Sequence, residues 1–582
     1  MRQYWKYIKP YLPFFIIGPL LMLTEVAGEI VLPKIMALMI DNGIGSEAAG
    51  YGIGYIISRA LMMIGFIGVM IIGGIGGHYF SIKAAVSFSA DLRQGVFEKV
   101  QKFSFKNIDN FSTGSLVTRL TNDITQIQNM TRMLLIMAMR SPGMLIGGII
   151  MACSINAKLA LVLAVVIPVL AIVIAVLLRT AFPRFGVMQK KLDSLNSGIQ
   201  ENITNVRVIK SFVRQKFEIE KFSLANEDLM NSTLNAMKIV VATMPIMTLA
   251  MNITTIVVVW TGGNFVVNGT MGVGELTAFT TYITQILMSL MMVSMLFLQL
   301  SRALASSSRI TEVLKTESDL SDDTAKEKDK KVTQGKIEFK NVSFKYYENR
   351  KENILENISF TGNPGEVIGI IGTTGSGKSS LVQLIPRLYD VTEGEVLVDG
   401  VNVKDYSLRN LRDGVGMVLQ KNVLFSGSIE DNLRWGDESA TIEEIRAAAD
   451  AAQADGFITG FTDGYNMELG QGGVNVSGGQ KQRLCIARAL LKKPKILILD
   501  DSTSAVDTAT EAKIREAFAS SLKDSTKIII AQRITSVIDA DRIIVLEDGK
   551  IVGTGNHTEL MESCGEYRDI YYSQVDKEKE VS

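Results

Sequence analysis

Residues 372–379, Gly-Thr-Thr-Gly-Ser-Gly-Lys-Ser, match the phosphate-binding pattern G-x-x-x-x-G-K-[ST] without a mismatch. The apolar run 366–371 predicts a buried strand before them, and residues 380–385 predict the start of a helix after them. In this context the glycines let backbone N–H groups wrap a phosphate, and the helix N-terminus adds positive potential. Lys378 can reach the outer phosphates, and the Ser379 hydroxyl can hold Mg²⁺. The stretch therefore predicts that the chain binds a nucleoside triphosphate.

Two further motifs follow the phosphate loop along the chain. Ser477-Gly-Gly-Gln480, preceded by Val476, is a second glycine-rich turn that presents backbone amides at the start of a helix. The apolar run 496–499 predicts a buried strand that ends in Asp500 and Asp501. The first of these acids can hold Mg²⁺ through water.

The two halves of the 582-residue chain differ sharply in composition, and these motifs all lie in the second half. The first half contains six long apolar segments, each able to cross about 30 Å of hydrocarbon as a helix. They lie near residues 12–40, 59–83, 133–155, 158–179, 238–275 and 275–302. The first is expected to be a span and not a cleaved signal peptide, because apolar sequence resumes directly after Glu29. Lys and Arg concentrate at the N-terminus and in two inter-span stretches, which predicts cytoplasmic termini and a cytoplasmic nucleotide-binding region.

Several charged residues fall inside the predicted spans. Glu25 and Glu29 are four residues apart, so they share one helix face. They could form a site for cationic substrates, or they could hold helices together with Arg59, His78 or Arg140 as structural partner. The methionine-rich spans could likewise line a polyspecific cavity or simply fill the core.

Composition changes at Thr316 and sets the domain boundaries. Residues 1–315 are expected to form the membrane domain, with two cytoplasmic loops at 105–118 and 199–212 that contact the nucleotide-binding domain. Residues 316–334 predict a charged, solvated linker. Alternating strand and helix patterns predict an α/β nucleotide-binding domain over 335–575, followed by a polar tail over 576–582. Lys+Arg and Asp+Glu are equal at 60 each, so no bulk charge favours a nucleic-acid partner.

Six spans, a phosphate loop, Ser-Gly-Gly-Gln and an acid-tipped strand, in this order, resemble one family: the exporter-type ABC transporters, as a half-transporter. The resemblance covers nearly the whole chain. It implies an α-helical polytopic membrane domain of six transmembrane helices with long cytoplasmic extensions, joined to an α/β P-loop NTPase domain of ABC type. It also implies that two nucleotide-binding domains sandwich two ATP molecules with Mg²⁺, and that their opening and closing drives transport across the lipid bilayer.

The resemblance assigns roles to individual residues. Tyr346 matches the aromatic residue that stacks on adenine, with Tyr347 as an alternative, and Gln420 matches the glutamine that contacts Mg²⁺ and senses the γ-phosphate. Ser477–Gln480 match the signature that closes over the ATP of the opposite subunit. Ser379, Gln420 and Asp500 are the implied Mg²⁺ ligands. The full implied nucleotide-contacting set is Tyr346, Gly372, Thr373, Thr374, Gly375, Ser376, Gly377, Lys378, Ser379, Ser380, Gln420, Asp500, Ser477, Gly478, Gly479 and Gln480.

Two catalytic positions depart from the family pattern. Asp501 stands where the family has the glutamate that polarises the attacking water, and Gln532 stands where it has a histidine on the γ-phosphate. Aspartate is one methylene shorter, and glutamine cannot carry a positive charge. The site is therefore expected to bind ATP but hydrolyse it slowly, as in the degenerate-site subunit of bacterial heterodimeric multidrug exporters, which the chain resembles.

The expected function is thus one subunit of a heterodimeric exporter in the plasma membrane, with amphipathic drugs or lipid-like molecules as substrates and a second half-transporter as partner. Two alternatives remain open. The chain could form a slow homodimeric exporter, or it could belong to a nucleotide-gated regulator or channel-like assembly. Transport against a gradient separates the last alternative from the other two.

Overall fold

The computed structural model describes residues 3–44, 52–323, 325–347, 352–502 and 506–581. The chain divides into two compact units. The membrane unit comprises Met1–Gln101 and Thr113–Lys315, and the α/β unit comprises Lys102–Ser112 and Thr316–Ser582. A short segment between the second and third long helices therefore belongs to the α/β unit.

All regular secondary structure in the described residues of the membrane unit is helical. Six of its helical stretches are long and apolar enough to cross a membrane, which confirms the six predicted spans. The helices are much longer than a membrane crossing requires: α3 has 50 residues, or about 75 Å at 1.5 Å per residue, against about 30 Å of hydrocarbon. The helices are α1 (Trp5–Ile8), α2 (Leu12–Met39), α3 (Gly52–Gln101), α5 (Thr113–Thr118), α6 (Ile124–Ile155), α7 (Ala157–Thr204), α8 (Val206–Ser211), α9 (Gln215–Val267) and α10 (Val273–Lys315), while α4 (Phe105–Asn110) lies in the α/β unit.

Arg140 is the structural partner of the two intramembrane acids. Its Nη1 lies 2.8 Å from Glu25 Oε1 and its Nη2 lies 2.7 Å from Glu29 Oε1, so one guanidinium ties α6 to α2. Of the other two predicted partners, His78 bonds to the carbonyl of Gly74 in its own helix, and Arg59 lies over the Tyr55 ring. These contacts support the helix-packing interpretation of the acids.

The α/β unit is built on a six-stranded sheet with the strand order β12-β11-β3-β10-β9-β6. Its five strands β11, β3, β10, β9 and β6 run parallel, and β12 pairs antiparallel at one edge. A four-stranded sheet, β2-β1-β4-β5, and the pair β7-β8 complete it. The strands are β1 (Ile337–Phe344), β2 (Leu355–Gly362), β3 (Val367–Gly372), β4 (Glu393–Val398), β5 (Val401–Asn402), β6 (Val415–Val418), β7 (Gly427–Ser428), β8 (Glu468–Leu469), β9 (Ile496–Asp500), β10 (Thr526–Ile530), β11 (Arg542–Glu547) and β12 (Lys550–Gly555).

The central strands are apolar throughout because both faces of the sheet are covered. In β9, Ile496 and Ile498 pack into one core, and Leu497 and Leu499 into the other. This double burial explains why the strand reads as a continuous apolar run. The helices around the sheet are α11 (Lys378–Gln383), α12 (Leu408–Asp413), α13 (Ile429–Arg434), α14 (Ile442–Ala451), α15 (Asp455–Thr459), α16 (Gly478–Leu491), α17 (Thr508–Ser521), α18 (His557–Ser563) and α19 (Gly565–Val581).

The charged segment 316–334 is more ordered than a solvated linker. Leu320 and Val332 are buried, the carboxylate of Asp322 accepts a hydrogen bond from the backbone N–H of Leu408 at 2.8 Å, and Glu327 forms a bridge with Tyr406. Buried apolar residues, a carboxylate hydrogen bond and a backbone bridge together hold the described part of the segment against the rest of the α/β unit. Of the predicted tail, residues up to Val581 continue α19, and Ser582 lies outside the described residues.

Candidate ATP site and switch residues

The phosphate loop joins the end of β3 to the start of α11 at Lys378. Gly377 has a φ of 95° and caps the helix, and a Cβ there would meet Leu355 Cδ2 at 2.8 Å. Gly375 has a φ of 89°, and a Cβ there would meet nothing within 4 Å. The loop therefore follows a backbone path that side chains disfavour, and it curves around open space. This is the shape that a bound phosphate requires.

Lys378 lies over the loop. Its Nζ donates to the carbonyl oxygens of Gly372 at 2.9 Å and Thr373 at 2.7 Å. Burial lowers the pKa of this amine, and the nearby carboxylates of Asp500 and Asp501 oppose that shift. The phosphate loop thus holds the lysine in place, and the lysine is expected to contact the phosphates that bind in that loop.

The acidic end of β9 meets the start of α11. The hydroxyl of Ser379 donates to Asp500 Oδ1 at 2.9 Å, and Asp500 is only 2% exposed. A hydroxyl and a carboxylate are oxygen donors of the kind that Mg²⁺ prefers. Burial raises the pKa of Asp500, and a bound cation would offset that cost. The residues present at this point fit a magnesium ion.

Asp501 and Gln532 contact each other directly. Gln532 Nε2 donates to Asp501 Oδ2 at 2.8 Å, and the Asp501 N–H donates to the carbonyl of Ile530 at 3.0 Å. Burial raises the pKa of Asp501, while the hydrogen bonds from Gln420 and Gln532 and the charge of Lys378 act in the opposite direction. Asp501 has a φ of 49°, a left-handed conformation that aspartate tolerates better than most residues. The two residues that depart from the family pattern therefore form one pair.

Tyr346, the residue expected to stack on adenine, stands in an aromatic group beside the phosphate loop. Its hydroxyl lies 2.9 Å from Ser380 Oγ, and its ring makes edge contacts with Phe344 and Tyr389 at centroid distances of 4.9 and 5.1 Å. Tyr347, the alternative, is exposed. The Tyr389 hydroxyl donates to Asp109 Oδ2 on α4 at 2.8 Å. The aromatic group thus joins the phosphate loop to the segment between the second and third long helices.

The signature begins α16, as the sequence predicts. Ser477 caps the helix in a reciprocal capping box: its N–H donates to Gln480 Oε1 at 2.9 Å, and its Oγ accepts from the Gln480 N–H at 3.3 Å. Ser477 and Gly478 are exposed, and a Cβ on Gly478 would meet nothing within 4 Å. Gln482, two residues after Gln480, donates through Nε2 to the Asp501 carbonyl at 3.4 Å.

The structure brings most of the predicted catalytic and metal-binding residues together, and it adds two that no motif indicated. Lys378, Ser379, Asp500, Asp501 and Gln532 form one connected group, with Gln420 bonded to Asp501. The additions are Tyr389 and Gln574, which contact the site through partners far away in the sequence. Of the two segments expected to contact the nucleotide-binding domain, 105–118 is divided, with residues 105–112 in the α/β unit and 113–118 in the membrane unit. The second segment, 199–212, lies within the membrane unit.

Comparisons with known proteins match both halves of the chain. Residues 15–290 match the family described as ABC transporter transmembrane region, and residues 355–504 match the family described as ABC transporter. The chain is 41% identical over 579 residues to YfiB of Bacillus subtilis strain 168, an uncharacterized ABC transporter ATP-binding protein, with 99% of each chain covered. It is 32% identical to YgaD of the same organism, a putative multidrug export ATP-binding/permease protein, again with 99% of each covered. Among solved structures, it is similar to a bacterial Atm1-family ABC exporter with ATP bound, at 26% identity, 98% coverage of each chain and a TM-score of 0.75.

Proposed function

The chain belongs to the ABC transporters, as an exporter-type half-transporter that fuses a membrane domain to an ATPase domain, and we propose that it is one subunit of a heterodimeric exporter. It is a multi-pass membrane protein. In the proposal its own ATP site hydrolyses slowly, and its signature serves the faster site of the partner. Its substrates are amphipathic drugs or lipid-like molecules.

The pairing of Asp501 with Gln532 carries this proposal. A general base must hold its carboxylate at hydrogen-bonding distance from the attacking water. The Asp501 side chain is one methylene short of the family's glutamate, and one of its oxygens is already bonded to the Gln532 amide at 2.8 Å. Gln532 adds no positive charge where the family has a histidine, so charge developing on the γ-phosphate is stabilised less. Both differences reduce hydrolysis.

ATP binding, in contrast, has its full set of groups. Lys378 and the loop amides would hold the phosphates, Ser379 and Asp500 would hold Mg²⁺ together with Gln420, and Tyr346 would stack on the base. The metal, when bound, neutralises phosphate charge. An ATP site that keeps its binding groups but lacks the usual hydrolytic groups is suited to hold ATP while the other site of the complex hydrolyses it.

The exposed signature supports a partner with a competent site. Ser477 and Gly478 present the capped start of α16 toward open space. In a sandwich of two ATPase domains, such a surface closes over the nucleotide of the opposite subunit. We expect that opposite subunit to carry glutamate and histidine at the positions equivalent to Asp501 and Gln532.

The proposed substrate class and location rest on the membrane unit. Its apolar helices with deformable methionines suit a polyspecific amphipathic cargo. YgaD, which the chain resembles over its whole length, is described as a putative multidrug exporter. The distribution of Lys and Arg supports cytoplasmic termini, and the bacterial relatives support a bacterial cytoplasmic membrane.

The subunit composition of the complex tests this proposal. The tagged chain is purified from its native membrane with mild detergent, and its partners are identified and counted by mass spectrometry. A one-to-one complex with a second half-transporter that carries glutamate and histidine is the expected result. Recovery of an active complex that contains this chain alone would support the slow homodimeric exporter instead. Substrate accumulation against a gradient in inverted vesicles excludes the gated-channel alternative.

A further inference from the structure

The C-terminal helix α19 contacts residues 531–535, the segment that follows β10 and carries Gln532, which we name the switch segment. Gln574 Nε2 donates to the backbone carbonyl of Gln532 at 2.8 Å, and Gln574 Oε1 accepts from the backbone N–H of Ile534 at 2.8 Å. A single side-chain amide thus bonds to two backbone groups, one on each side of Arg533. The side-chain amide accepts one main-chain hydrogen bond and donates another, as the backbone of a neighbouring β-strand does.

The switch segment needs such support because it has left the sheet. Strand β10 ends at Ile530, and the Ala531 N–H still reaches the carbonyl of Ile370, at 3.3 Å. Beyond it, Arg515 Nη1 donates to the carbonyl of Thr535 at 2.8 Å, and Gln574 bonds to the Gln532 carbonyl and the Ile534 N–H. The backbone that carries the Gln532 side chain is therefore bonded to a residue 42 positions later in the chain.

The helix that carries Gln574 is itself firmly anchored. Tyr567 is fully buried in the same apolar core as Ile534, and its hydroxyl lies 2.8 Å from His557 Nδ1 on α18. Ile570 and Tyr571 pack against that core from the next turn. Gln574 is therefore a fixed reference point for the switch segment.

We propose that Gln574 is a positioning residue that sets the Gln532 amide beside Asp501 and so determines how well this site distinguishes ATP from ADP. The inference rests on the proposed contact between Gln532 and the γ-phosphate, the group that ADP lacks. A purely structural role for Gln574 would weaken the binding of both nucleotides equally. A positioning role weakens ATP selectively.

Photolabelling of the intact complex separates these possibilities. The full-length complex, purified from its membrane, is labelled with radioactive 8-azido-ATP and Mg²⁺, and the subunits are resolved on a gel. Unlabelled ATP and ADP are titrated as competitors, and protection of this chain gives the affinity ratio for the two nucleotides. The variants are Gln574→Ala, Gln574→Glu and Gln532→Ala, with Ser573→Ala as the matched control, because the Ser573 hydroxyl bonds only to the Ile570 carbonyl in its own helix among the contacts described.

We expect Gln574→Ala to lower the preference for ATP over ADP about fivefold, in line with loss of hydrogen bonds of ordinary strength. Gln574→Glu keeps the acceptor for Ile534 but loses the donor to Gln532, so it should fall between Gln574→Ala and the native chain. Ser573→Ala should match the native chain. A chain ending after residue 574 should keep the native ratio, and one ending after residue 573 should behave as Gln574→Ala does.

Two results would overturn the inference and can be told apart. If Gln532→Ala lowers the ATP preference but Gln574→Ala leaves it unchanged, or weakens both nucleotides equally, Gln574 does not position Gln532 and the proposed role of Gln532 stands. If Gln532→Ala itself leaves the ratio unchanged, the γ-phosphate contact is absent, and the inference fails together with that part of the proposed function.

Discussion

If the ATP site is slow as proposed, replacing both departing residues with the family pattern, Asp501→Glu with Gln532→His, should make it faster. The double change is needed because the two side chains touch. A glutamate at 501 extends the carboxylate by about one carbon–carbon bond, roughly 1.5 Å. Gln532 Nε2 already lies 2.8 Å from Asp501 Oδ2, so the longer side chain collides with the amide unless residue 532 changes too.

The expected gain follows from this displacement. A misplacement of about 1 Å in a catalytic group costs on the order of 10²-fold in rate, equivalent to about 2.7 kcal/mol. Restoring the reach of the carboxylate should therefore raise the rate of ATP hydrolysis at this site by about 10- to 100-fold. The φ of 49° at Asp501 acts against the glutamate, because a longer side chain tolerates this conformation less well, and should lower the stability of the variant by about 1 kcal/mol. Each single change should gain much less than the pair, as expected for residues in contact.

The assay must report on this site alone. Ser477→Ala in the same chain is expected to disable the partner's site, so the double change is measured in that background as phosphate release from the reconstituted complex. The matched control is Asp501→Gln with Gln532→His, which has the same side-chain size as the glutamate variant but no carboxylate. ATP binding to each variant is checked by photolabelling, so that a folding defect is not mistaken for slow chemistry.

The reasoning is refuted if the glutamate–histidine variant binds ATP yet hydrolyses it no faster than the Ser477→Ala background. An equal rise in the glutamate and glutamine versions would also contradict it, because the gain would then come from the histidine or from relieved packing and not from a better-placed base.

Three further changes test other parts of the proposal. Ser477→Ala alone should abolish most ATP turnover of the complex while leaving photolabelling of this chain intact, whereas Lys378→Ala should abolish that labelling. Tyr389→Phe keeps the aromatic contacts but removes the bond to α4, worth about 1 kcal/mol at this exposed position, so substrate transport into inverted vesicles should slow about fivefold with ATP affinity unchanged. Arg140→Gln leaves two partly buried carboxylates without their cation and should cost about 2 kcal/mol in thermal-unfolding measurements, and changing both glutamates to glutamine as well should recover most of that loss.

Local patterns in the sequence were sufficient for much of the fold and for the centre of the site. Neighbouring residues alone encode the six spans, the strand that ends in Asp500 and the loop before Lys378. These elements can therefore be predicted without knowledge of tertiary contacts. The strand β9 was predictable for a further reason: burial on both faces leaves an unbroken apolar run.

The remaining contacts depend on chain packing that no local pattern records. Arg140 was one of three possible partners for the membrane acids, and only the packing of α6 on α2 distinguishes it. Tyr389 meets Asp109 across 280 positions, and Gln574 meets Gln532 across 42. The left-handed backbone at Asp501 was also inaccessible, because aspartate is common in many other conformations.

The contacts around the two departing residues favour a maintained ATP-binding site over a decayed one. In a site that had simply lost its function, we would expect the substituted side chains to lack hydrogen-bond partners, because nothing would keep them in a fixed position. Here the Gln532 amide bonds to the Asp501 carboxylate, and Gln574 holds the Gln532 backbone in place. Burial makes the free charge of Asp501 costly, and neutral amide donors reduce that cost without supplying the positive charge that hydrolysis uses. In the proposed function the same pair stabilises the resting site and slows its chemistry, which is the combination that a site for holding ATP requires.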